Sequence, residues 1–377
     1  MKLLHLSDLH LGKRVNGFSQ IPDQIHILDQ ILSIARERKP DAVLIAGDVY
    51  DKSVPSAEAV ELLDRFLTDL AGTGTEVFLI SGNHDSAERL AFGGRLLSAA
   101  RVWVSPVYDG KVLSVKRSDD HGDLTIHLLP FLKPAQVRPH FQDAVIERYS
   151  DAVEAALSAC DLSEGRHVLL AHQLVTGAER SESEDISIGG SDNVDAAVFS
   201  GFDYVALGHL HRPQNVGDNL RYCGTPLKYS FGEAEQEKSV TLVTLEEKGH
   251  VSVETVPLTP LHDLKRIRGS YSELMNRDFY LNTGLPDCYL HITLTDEEDI
   301  PDAIGRLRSV YPNIMQLSYD NPRTRLRQNP LTELAQPESS PLELFGLLYE
   351  KQNNAPMSDE ETEYLRAMME RIWEGEA

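Results

Sequence analysis

Five short apolar runs in the first two hundred or so residues each end in side chains that bind metal ions well. Residues 3–6 run into Asp8-Leu9-His10, 42–46 into Gly47-Asp48, and 77–80 into Gly82-Asn83-His84-Asp85. Residues 168–171 run into His172, and 204–207 into Gly208-His209-Leu210-His211. The runs are rich in β-branched residues and flanked by Gly, Asp or Pro, so they read as strands buried on both faces. Between them, residues 21–38 and 56–71 carry apolar side chains at helical spacing; in the second, Val60, Leu63, Leu67 and Leu70 fall on one face and Ser56 is placed to cap the start. Strands alternating with helices predict an α/β fold. In open α/β sheets, sites form at the carboxyl ends of strands, so the five segments are expected to meet in one cleft.

Any one of these segments is a weak signal, because an isolated Asp-x-His or His-x-His is more often a turn or a surface pair. Five in succession, each closing a strand, are a strong one. Asp8, His10, Asp48, Asn83, His172, His209 and His211 supply two carboxylates, four imidazoles and an amide, a set suited to two divalent cations of intermediate hardness. The glycines before Asp48, Asn83 and His209 let the backbone turn where a side chain would block an ion. Phosphodiester hydrolysis needs such a set. Two cations about 3.5–4 Å apart share a nucleophile and clamp the phosphate, and an aspartate touching both fixes their spacing.

Downstream, residues 239–245 and 251–256 around Lys248-Gly249 read as a hairpin closing the first domain. A strand at 288–294, a helix at 302–310 and a strand at 314–319 form a small following unit. The organisation expected is therefore 1–260, 261–328 and 329–377. The last part opens with a segment rich in Pro, Ser and Gln and ends in an acidic helix, with Ser358 and Glu361 at capping-box spacing and Tyr364, Leu365, Met368, Met369 and Ile372 on one stripe. Residues 181–195 read as a polar loop.

No apolar run is long enough to span a bilayer and the N-terminus lacks a signal-peptide pattern, so a cytoplasmic protein with no membrane partner is expected. Cys160, Cys223 and Cys288 lack CxxC spacing, which fits a reducing compartment. The net charge of −23 is awkward for an enzyme acting on nucleic acid. Either the substrate is small, or bound cations and a basic partner supply the missing positive field.

The five-part set resembles the hallmark of the calcineurin-like metallophosphoesterases. More narrowly, residues 81–90, Ile188-Gly189-Gly190-Ser191-Asp192, residues 201–214 and residues 224–231 resemble the SbcD family of nuclease subunits from bacterial SbcCD complexes. The resemblance implies a sandwich of two mixed sheets flanked by helices, with a small α+β capping domain and a C-terminal helical tail. It implies that Asp8, His10, Asp48 and His211 hold one ion while Asp48, Asn83, His172 and His209 hold the other, with manganese as the metal. His84 would then be the catalytic residue, serving the departing oxygen as general acid, with Asp85 a candidate to orient it. Archaeal relatives have a second histidine where this chain has Asp51.

The same resemblance implies an exonuclease and endonuclease acting on double-stranded DNA ends and hairpins in recombination, replication and repair. It also implies a homodimer, paired through the helical patterns at 56–71 and 88–100, within a heterotetramer completed by an SbcC-type ATPase, the base of whose coiled coil the tail grips. Two other classes compete: a phosphodiesterase of small molecules such as cyclic nucleotides, and a non-catalytic repair scaffold. The complete ligand set argues against the scaffold. The remaining nine of the 14 histidines follow no ligand pattern, and Arg89, Arg212 and Lys228 are as well explained by ion pairs as by phosphate contacts.

Overall fold

The computed structural model describes residues 1–179, 192–298, 300–321, 342, 345–346, 349 and 356–373. Most of the polar loop, including residues 188–191, and the whole 329–341 segment lie outside the described residues.

Twelve strands build the body of the chain: β1 (Lys2–Leu6), β2 (Ala42–Ala46), β3 (Glu76–Ile80), β4 (Val102–Val104), β5 (Leu113–Asp119), β6 (Gly122–Leu128), β7 (Arg166–His172), β8 (Tyr204–Gly208), β9 (Gln214–Asn215), β10 (Leu220–Tyr222), β11 (Ser239–Leu245) and β12 (Val251–Pro257). They form two mixed six-stranded sheets, ordered β12-β11-β1-β2-β3-β4 and β9-β10-β8-β7-β6-β5. Strands β1 to β4 run parallel in the first sheet, and β6, β7, β8 and β10 in the second. The hairpin β11–β12 lies antiparallel at the edge beside β1.

The near-continuous apolar runs follow from burial on both faces. Leu3, Leu44, Val168, Leu170, Tyr204 and Ala206 meet in a core between the sheets. Their neighbours in sequence point the other way. Leu4, Leu6, Val43 and Ile45 pack under helices α1 (Ile21–Arg38) and α2 (Ala57–Gly72), and Leu169, Ala171, Val205 and Leu207 under α3 (Tyr149–Leu157). Two mixed sheets flanked by helices are thus the architecture.

Ser56 caps α2, accepting from Ala59 N–H at 3.3 Å. The buried face of α2 is Ala59, Leu62, Leu63, Phe66 and Leu70, whereas Val60 is 45% exposed. The stripe is therefore rotated from the Val60-Leu63-Leu67-Leu70 reading, because Phe66 is drawn into the core under α1. The helix expected over 88–100 is broken into Ala87–Leu90 and Gly94–Leu97. Gly93 between them sits at φ 75°, and adjacent glycines each cost a helix interior about 1 kcal/mol.

The chain divides into two compact units. The first is Met1–Arg266 with Asn282–His291 and Arg308–Gln316; the second is Ile267–Leu281, Ile292–Leu307 and Leu317–Ala377. A three-stranded sheet runs Leu264–Gly269, Tyr289–Leu294, Ile314–Tyr319 in that order. In the second unit Leu274, Ile292, Leu294 and Leu307 are buried, Arg268 pairs with Asp320 at 2.7 Å, and the last helix is Asp359–Trp373.

Candidate metal centre

Parallel strands from both sheets deliver their carboxyl ends to one place. Asp48, just beyond β2, occupies its middle: Asp48 Oδ2 lies 3.3 Å from His172 Nε2, 3.8 Å from His10 Nε2 and 4.0 Å from His84 Nε2. Ligating atoms of Asp8, His10 and His211 fall within 4.8 Å of one another, as do those of Asp8, Asp48 and His172, and those of His10, Asp48 and His84. Asn83 Oδ1 is 3.0 Å from His172 Nε2 and 3.0 Å from His209 Nδ1. All seven residues singled out as ligands therefore converge, with His84 beside them.

Holding them there strains the backbone. Asp8 (φ 53°), His10 (φ 44°), Asp48 (φ 46°) and His209 (φ 105°) all adopt conformations that cost a non-glycine residue about 1–3 kcal/mol. Backbone ties between the loops hold them. Asp8 N–H donates to the Gly47 carbonyl at 3.0 Å, His10 N–H to the Asp48 carbonyl at 2.9 Å, and His209 N–H to Asp8 Oδ1 at 3.0 Å. Close approach also demands glycine: a Cβ on Gly82 would sit 2.1 Å from Asp48 Oδ1, and one on Gly208 would sit 1.9 Å from the Ala46 carbonyl oxygen.

The electrostatics ask for cations. Asp8, His10 and His172 are at most 1% exposed, and among the described residues neither ring nitrogen of His10 has a hydrogen-bond partner. Burial holds the His10 imidazole well below its ordinary range, so it stays neutral with a free lone pair, the form a metal binds. Burial, with the neighbouring Asp48 charge, pushes the Asp8 carboxyl up. Burial would do the same to Asp48, but the imidazoles of His172, His10 and His84 hold it down as a carboxylate. Two buried carboxyl groups beside these imidazoles are a nitrogen and oxygen donor set that fits divalent cations.

A second ring of contacts aims these side chains. The Ala46 carbonyl accepts a hydrogen bond from His172 Nδ1–H at 2.8 Å, which leaves Nε2 facing Asp48. The Asp51 carbonyl does the same for His84 Nδ1 at 3.0 Å. Asp85, the candidate to orient His84, also ties loops together: its carboxylate accepts from the backbone N–H of Val49, Tyr50 and Gly82 at 2.9–3.0 Å, joining those after β2 and β3. Burial and the Asp48 charge raise the Asp85 carboxyl to about 6. Asp51 pairs with Lys13 at 2.7 Å. Lys228 pairs with Asp263 at 2.8 Å, Arg212 pairs with Glu179, and Arg89 donates to the Ser53 carbonyl. Sequence reasoning missed Glu233, whose Oε1 is 3.3 Å from His211 Nδ1; no local pattern points to it.

Residues 1–213, more than half of the chain, match the family model described as calcineurin-like phosphoesterase. The chain belongs to that family. Residues 260–353 match a second model, named for the C-terminal domain of SbcD and described as the Type 5 capsule protein repressor C-terminal domain. A calcineurin-like phosphoesterase domain followed by this C-terminal domain is an arrangement consistent with SbcD. Solved structures similar to this chain include a dimetal phosphatase from Danio rerio, at 13% identity and a TM-score of 0.39, covering 69% of this chain and 99% of that one. Another is a putative 5'-nucleotidase from Staphylococcus aureus in complex with alpha-ketoglutarate, at 15% identity and 0.40, covering 69% of this chain and 54% of that one. As a calcineurin-like phosphoesterase the chain is a hydrolase, and the His/Asp cluster is its candidate site for divalent metals. Among the described residues no helix is long and apolar enough to cross a membrane.

Proposed function

We propose that this phosphoesterase is a two-metal DNA nuclease, the exonuclease and endonuclease subunit of an SbcCD-type complex acting on double-stranded ends and hairpins. The observation that carries the chemistry is the convergence of seven N and O ligand residues on one place, with Asp48 3.3 Å from His172 and 3.8 Å from His10. In this reading Asp8, His10, Asp48 and His211 would hold one ion and Asp48, Asn83, His172 and His209 the other, with Asp48 common to both sets. When bound, two such ions, here manganese, supply a nucleophile near neutral pH and neutralise charge on the phosphate. The chain's own part is to orient the ligands through backbone carbonyls and to bring His84 Nε2 to the departing oxygen as its proton donor.

DNA as substrate is supported by the match of residues 260–353 to a domain named for SbcD. With 59 acidic against 36 basic side chains, much of the phosphate contact is assigned to the metals and to a coiled-coil ATPase of the SbcC type docked on the tail. Incubating the full chain with labelled hairpin DNA and manganese, with and without that ATPase, tests the proposal, with cyclic dinucleotides in parallel. Hairpin cleavage is the expected result. Turnover of the small nucleotides alone would overturn the DNA assignment.

A further inference from the structure

Glu233 and Lys238 form an ion pair at 2.6 Å with almost no exposure, 0% and 5%. Neither belongs to the predicted ligand set. Glu233 Oε1 faces the ring of His211 at 3.3 Å, while Lys238 Nζ donates to the backbone carbonyl of the same histidine at 2.9 Å. The pair thus grips His211 at ring and main chain together. Thr225 completes the clamp: its hydroxyl lies 2.8 Å from Lys238 Nζ and 3.3 Å from Glu233 Oε2. Buried ion pairs add little net stability, and well-packed apolar replacements are often neutral or better, so folding alone gives no reason for this one.

The geometry does determine a tautomer. An ionised carboxylate only accepts hydrogen bonds, and the Lys238 ammonium beside Glu233 favours that ionised form. His211 Nδ1 must therefore donate, which leaves the lone pair on Nε2. We propose that Glu233 and Lys238 are positioning residues that fix the tautomer and orientation of His211 and so strengthen binding of the ion this histidine shares with Asp8 and His10. The proposal rests on the two-metal reading above. Its effect falls on one ion, because His172, assigned to the other, is oriented by the Ala46 carbonyl at 2.8 Å and not by this pair.

Calorimetric titration of the chelated full-length chain with manganese tests it. Wild type should show two sites. Glu233→Gln should weaken one of them by roughly 10–100-fold and leave the other, with hydrolysis recovering at high manganese. Lys238→Met alone strands a buried carboxylate and risks misfolding, so the double variant Glu233→Gln, Lys238→Met, which leaves no charge at this pair, is compared by circular dichroism and titrated alongside. It should fold and show the same one-site loss. Two wild-type affinities in either folded variant, or equal weakening of both sites, would overturn the proposal. A wild-type chain that binds no manganese overturns the two-metal reading and this inference together.

Discussion

His84 Nδ1 lies 3.0 Å from the Asp51 carbonyl oxygen, and that contact turns its Nε2 toward the centre, 4.0 Å from Asp48 Oδ2. The His84 side chain is 29% exposed while Asp48 is 3%, so His84 stands at the mouth of the site and Asp48 inside it. That place suits the proton donor proposed for His84. His84→Gln should therefore keep both ions and DNA binding while cleavage falls by roughly 10²–10⁴-fold, the usual loss for a general acid. Because the ring also lies within ligand distance of His10 and Asp48, metal analysis decides the matter. Loss of an ion in this variant would make His84 a ligand.

Asp48→Asn removes the carboxylate charge at the middle of the site, the proposed bridge between two ions. The expected outcome is a folded protein with both ions weakened and hydrolysis nearly abolished, read by metal content and circular dichroism. Asparagine keeps the shape and one acceptor oxygen, so the loop after β2 should persist. Two ions retained per chain with normal turnover would rule out Asp48 as the bridge.

The break in the 88–100 helix leaves Phe92 86% exposed and Leu96 81% exposed. Arg89 donates to the Ser53 carbonyl, bringing the loop that carries Val54, 67% exposed, beside the same segment. Large apolar side chains this open favour a partner surface, and a second copy of the chain is the partner proposed. Phe92→Ser with Leu96→Ser should shift the protein from dimer to monomer in sedimentation at micromolar concentration. Being exposed, these positions should change folding stability by no more than about 0.5 kcal/mol each. A wild-type chain that sediments only as monomer would sink the dimer.

The strands and the seven convergent residues were legible because their signals are local. A buried strand writes an unbroken apolar run, and the polar residues closing it sit within a few positions of its end. Contacts that aim the ligands are not written that way. Asp85 meets the backbone of Val49 and Tyr50, and backbone N–H groups leave no trace in a residue pattern. Glu233 reaches His211 across 22 positions and two intervening strands, β9 and β10, and becomes significant only once the fold brings the two together. The face of α2 was read one step out of turn because Val60 and Ala59 are both apolar, and only packing decides which is buried.

The tail tests whether this chain acts alone. Ser358 and Glu361 cap the last helix as their spacing implied, with Glu361 N–H donating to Ser358 Oγ at 3.3 Å and Ser358 N–H to Glu361 Oε2 at 2.8 Å. Its apolar side chains are treated unequally. Leu365 is 6% exposed, but Tyr364 is 68%, Met368 36% and Phe345, on the preceding segment, 41%. Tyr349 OH donates to Glu361 Oε1 at 2.9 Å, which links the two segments. An open apolar and methionine-bearing surface on an acidic helix suits docking into a partner's helical groove. Truncation after Asn329 should therefore leave a folded, metal-binding phosphoesterase that no longer co-purifies with a coiled-coil ATPase. The sheets, α1 to α3 and all seven candidate ligands lie before that cut, so circular dichroism and metal content should hold while complex formation is lost. A truncated chain that unfolds, or that still binds the ATPase with unchanged affinity, would assign these side chains to the body of the enzyme and remove the docking reading.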